Sequence, residues 1–107
     1  MDSSEYVRRV LDAYRAAPGT CGAIRQPDRV FALQLFARGV PLASVENAMA
    51  LACARRLARP ADATPLGVIR SLAYFSPVID EVLELRVGED YFQYLRQRLS
   101  RILRQPL

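Results

Sequence analysis

The sequence predicts an all-α fold, a compact single domain of five or six helices spanning residues 1–107, on three observations. Apolar residues recur three and four positions apart, as the buried face of a helix requires, and no strand-like alternation of useful length interrupts them. Prolines and glycines fall between these periodic runs, at Pro18-Gly19, Pro27, Gly39 to Pro41, Pro60, Pro65 to Gly67 and Gly88, where they end or open helices. A chain of 107 residues, 51% hydrophobic and 24% charged, has the composition of a folded protein with one small core.

Taken in order, Asp2 to Ala17 reads as a first helix. Asp2 and Glu5 have the spacing of a capping box, and Tyr6, Val7, Val10, Leu11 and Tyr14 share one face. Pro18-Gly19 ends it, and Thr20 to Gln26 is a loop from which Ile24 reaches inward. The chain is organised around 31–57, FALQLFARGVPLASVENAMALACARRL, read as two helices joined at Arg38-Gly39-Val40-Pro41. Together with Pro27 at a first helical position this makes a central helix-turn-helix-like hairpin over about 27–58. In its first helix Val30, Phe31, Leu33, Leu35 and Phe36 cover more than one face, which predicts an element contacted from several sides. In its second, Leu42, Val45, Met49, Ala52 and Cys53 share a face, and the many alanines allow neighbouring helices to approach closely.

Residues 60–70 form a connection. Ser71 can cap a helix at Leu72, but Pro77 inside it would cost about 3 kcal/mol, so a kink or a restart is expected at Ser76. Gly88 breaks the chain, and a final helix starts at Glu89 or Asp90. There Phe92, Leu95, Leu99 and Ile102 follow the three-and-four spacing of a short seam, an interface through which two copies or a partner would pair.

Composition excludes most chemistry. The chain has no histidine, which removes the commonest general base and metal ligand, and its two cysteines sit in dissimilar settings. Cys53 reads as a small core residue. No phosphate-binding glycine loop occurs, and Asp80, Glu81 and Glu84 read as a solvated helix face. No catalytic residue, metal site or cofactor is therefore expected, and the protein is read as a non-enzyme. No apolar run approaches a membrane span and the first residues do not form a basic signal, which places the protein in the cytoplasm.

The net charge of +4 is unevenly distributed. Every basic residue is arginine, and the excess falls on the last segment, where Arg96, Arg98, Arg101 and Arg104 meet no acid. Arg55, Arg56, Arg59, Arg70, Arg98, Arg101 and Arg104 are candidate phosphate contacts on DNA, with Asn47, early in the second helix of the pair, the candidate base contact. The arginines at 55, 56 and 59 also suit the negative end of a helix dipole.

The segments RGVPLASVENAMALACARR, IRSLAYFSPVIDEVLEL and DYFQYLRQRL resemble small arginine-rich helical proteins of bacteria. The middle one, with Ile69-Arg70-Ser71 leading to Tyr74-Phe75, is similar to DnaD-like helical accessory modules of plasmid, phage and mobile-element replication proteins. That resemblance implies contact with DNA or with a partner replication protein. Two function classes are thus expected: a DNA-binding accessory protein, possible as a homodimer, and a protein-interaction adaptor that uses its last helix.

Overall fold

Asp2 begins the first helix as its spacing predicts, its side chain accepting a hydrogen bond from the Glu5 amide at 2.8 Å. One first-turn amide that the helix itself leaves unbonded thereby finds an acceptor. The structure, a computed structural model, describes residues 1–85 and 89–104, without the side chains of 85, 89–92 and 102–104. Among the described residues there are five α-helices: α1 (Ser3–Ala16), α2 (Gln26–Ala37), α3 (Leu42–Leu57), α4 (Ser76–Leu85) and α5 (Glu89–Arg104). A 3-10 turn, Leu72–Phe75, leads directly into α4. Pro77 therefore sits in a first turn, where its missing amide breaks no helical bond.

The organising element is α3. Val45, Asn47, Ala48, Met49, Ala50, Ala52 and Cys53 are all buried, so much of its circumference is covered. Its small side chains let α1, α4 and α5 pack against it from different sides. The core is completed by Tyr6, Val10, Leu11 and Tyr14 from α1, Leu72 and Phe75 from the 3-10 turn, and Ile79 and Val82 from α4.

The pair α2–α3 is present, but it is not a hairpin packed along its length. From the turn the two helices diverge, and α2 lies against α1 and the 3-10 turn. Only Asp28, Ala32 and Leu35 of α2 are buried, while Val30, Leu33 and Phe36 are exposed. The expectation that α2 would be covered from several sides is corrected accordingly. Its apolar residues are spread around the helix, and the neighbours reach only one side. The turn itself follows expectation: Gly39 takes φ +74°, a conformation that disfavours any side chain. Val40 and Val45 are both buried behind it. The Tyr6 hydroxyl donates to the Val40 carbonyl at 2.8 Å and so ties α1 to this turn.

Two long connections are joined to each other. Thr20 and Ile69 form an isolated parallel bridge, with the Cys21 amide donating to the Ile69 carbonyl at 3.0 Å and the Ile69 amide to the Gly19 carbonyl at 2.8 Å. Asp28 adds a second cross-link. Buried at the start of α2, its carboxylate accepts from the Arg25 amide and from the Leu72 amide, each at 2.9 Å. A carboxylate is affordable in this core because both its oxygens have donors. Ile24 packs at the core's edge as expected. The break expected at Gly88 lies outside the described residues.

Candidate functional site

Arginines at the end of α3 were expected to face a phosphate backbone, and the fold gives each an internal partner. Arg55 makes a two-armed ion pair with Glu81 of α4, one arm at 2.7 Å, and holds that carboxyl below the ordinary glutamate value. Such a fork against a carboxylate uses the full donor geometry of a guanidinium. Arg56 donates to the Gly67 carbonyl at 2.8 Å and to the Tyr74 hydroxyl at 3.1 Å, with its charge 5.7 Å from the centre of the Tyr74 ring. Arg59 donates to the Thr64 carbonyl at 2.7 Å. Together Arg56 and Arg59 hold the 60–70 connection onto the end of α3.

Asn47 lies in the interior. It is 5% exposed, and its carbonyl oxygen accepts from Arg96 of α5, so its side chain does not stand at a surface where a base edge would meet it. Position 47 falls on the side of α3 that α5 covers, a fact that helical spacing on α3 alone does not contain. Arg70, Arg98 and Arg101 are exposed. Arg98 stands beside Arg55 at the rim of a shallow groove between α3 and α5, while Arg70 follows Ile69 in the connection. The side chain of Arg104 lies outside the described residues.

The proposed seam on α5 is turned inward. Leu99 is buried and Leu95 half-buried, both packed against the core, in company with Leu51 and Ala54 of α3. What the spacing shows is an apolar face, and within one chain α3 already covers its described part. The side chains of Phe92 and Ile102 lie outside the described residues.

Two surfaces that the sequence reading did not single out remain open. One is a groove of about 530 Å³ along α1 and α2, whose rims carry Arg8, Arg15 and Arg29 and whose floor includes Val7 and Leu11. The other lies around the 60–70 connection, where Leu57 and Leu66 share a pocket with Arg56 and the side chains of Val68 and Tyr74 are also exposed. The seven-residue interval from Arg8 to Arg15 puts both on one helix face and was the legible signal for the groove. That the face borders α2 was not legible.

Among the described residues no group of three or more potential metal ligands comes together. Burial pushes the Cys53 thiol above its ordinary value against the opposing effect of Arg56, which makes it a poor nucleophile. Cys21 is exposed. No helix among the described residues is long and apolar enough to cross a membrane. Comparison with known protein families, with characterised proteins and with solved structures finds no match.

Proposed function

We propose that this protein is a non-catalytic helical accessory module that works by docking another protein. The observation that carries this reading is the pairing of two facts: Arg55, Arg56 and Arg59 are engaged by the chain's own groups, while large apolar side chains stand exposed in clusters. Val30, Leu33 and Phe36 lie along α2, and Leu57, Leu66, Val68 and Tyr74 lie around the 60–70 connection. Exposed apolar residues gathered into patches are a common mark of a protein-binding surface, whereas scattered single ones are not. The resemblance to helical accessory modules adds a context, the replication or mobility of DNA, in which the partner is itself a replication protein.

The test is photo-crosslinking in living cells, with a photoreactive amino acid placed singly at Leu33 and at Val68. Discrete protein adducts at either position are the expected result. Adducts removed by nuclease, with no protein adduct at either position, would overturn the reading.

Binding of DNA is the second reading, favoured by the exposure of Arg70, Arg98 and Arg101 and by the net positive charge. It predicts anisotropy of labelled single- or double-stranded DNA that rises with protein and falls steeply with salt. Charge reversal at Arg98 and Arg101 would then make the salt dependence shallower by about one unit of slope per lost contact.

A further inference from the structure

The groove between α1 and α2 gathers three exposed arginines around apolar side chains. Three acids of the helices are matched at short range: Glu5 with Arg9 at 3.1 Å, Asp80 with Arg38 at 3.5 Å, and Glu81 with Arg55. Arg8, Arg15 and Arg29 are exposed, and among the described residues none of them forms an ion pair or a side-chain hydrogen bond. They rim a groove whose apolar lining is Val7, Leu11 and Leu33, the last of these 49% exposed. Because α1 contributes residues from Ser3 to Arg15, the groove runs about 18 Å at the helical rise, the length of roughly three turns.

We infer that this groove receives an amphipathic helix with an acidic flank from a protein partner, an inference that rests on the adaptor reading above and names where and what the module binds. A helix laid in such a groove places leucine-like side chains on the apolar floor at three- and four-residue spacing. Arg8 and Arg15 are seven residues apart, about 10.5 Å along α1, which is the separation of two glutamates at positions i and i+7 of the guest. Arg29 meets a third acid from the opposite rim. Nucleic acid is the poorer fit, because a phosphodiester backbone gains nothing from a floor of valine and leucine.

The probe is a synthetic helical peptide of about 14 residues, with leucines at three- and four-residue spacing and glutamates on both flanks, labelled for anisotropy. Its partner probes are the same peptide with arginine in place of glutamate and a mixed-sequence DNA oligonucleotide. The acidic peptide is expected to bind the full-length protein. Affinity should fall about tenfold or more in R8E/R15E/R29E, and comparably in L33D, with circular dichroism unchanged in both. All four substituted positions are solvent-exposed, so the variants are expected to fold. Absence of binding, equal binding of the two peptides, or full binding by the triple variant would overturn the inference. So would DNA that displaces the peptide and is lost in the triple variant but kept in L33D, which would assign the groove to nucleic acid. Protein adducts at Val68 with none at Leu33 would remove the groove while leaving the adaptor reading standing.

Discussion

Tyr6 and Tyr14 lie two turns apart on the same face of α1 and differ only in what their hydroxyls meet. Tyr6 reaches the Val40 carbonyl, whereas the buried Tyr14 hydroxyl finds no hydrogen-bond partner among the described residues. Tyr6→Phe leaves a buried carbonyl without its donor and is expected to lower stability by about 1–3 kcal/mol, read from urea denaturation midpoints. Tyr14→Phe removes an unsatisfied hydroxyl and is expected to be neutral or stabilising in the same experiment. Burial raises both phenols above the ordinary tyrosine value, opposed at Tyr6 by Arg38 and reinforced at Tyr14 by Asp28. A raised phenol favours the fold below the ordinary value of 10.0 and withdraws that support as pH rises through the folded value. Alkaline unfolding should accordingly begin at higher pH in Tyr14→Phe. The two thiols separate as well. A thiol reagent should label Cys21 at once and Cys53 only at the rate of opening, and equal rates at neutral pH would contradict the burial of Cys53. Asn47 teaches the opposite lesson about residue type. Its chemistry suggested a base reader, but which residues of α5 would stand over it depends on a fold that local spacing does not contain.

Among the elements, α1 and α3 were legible because their periodic faces and punctuating residues agree. Asp2, Pro18 and Pro60 mark ends, and Val45, Met49 and Cys53 all lie inside as their spacing requires. For α2 the apolar residues outnumber the neighbours available to cover them, and no count of hydrophobic positions says which side will be open. In α5 the same ambiguity concerns who covers the apolar face. Since α3 covers Leu99, Leu99→Ala should cost about 2–4 kcal/mol in stability with no effect on the mass in solution. A change of mass at unchanged stability would instead show that the face belongs between copies. The clasp between α3 and α4 makes a prediction in acid. Because the Arg55 guanidinium lowers the folded value of Glu81, this pair supports the fold above the ordinary glutamate value of 4.5 and loses that support as pH falls through the lowered one. Glu81→Gln should therefore flatten the decline of stability between about pH 5 and about pH 3. An identical decline in wild type and variant would show the pair to be too well solvated to matter.

At the scale of the molecule, the arginines that looked like a DNA footprint along the sequence divide into two populations. Those at 55, 56 and 59 bind the chain to itself, and those at 70, 98 and 101 stand exposed. The division depends on long-range contacts: Arg56 meets Gly67 and Tyr74, and Arg55 meets Glu81, across 11 to 26 residues of chain. The connection that these arginines hold has a consequence of another kind. Residues 61 and 62 are exposed, while on either side Arg59, Arg56 and the Thr20–Ile69 bridge tie the chain down. A single cut there would leave one fragment carrying α1 to α3 and another carrying the 3-10 turn, α4 and α5, with every contact across α3 retained. The two halves should find each other again in solution, so that this domain, split at 61–62 and fused to two other proteins, would report by its own reassembly when they meet.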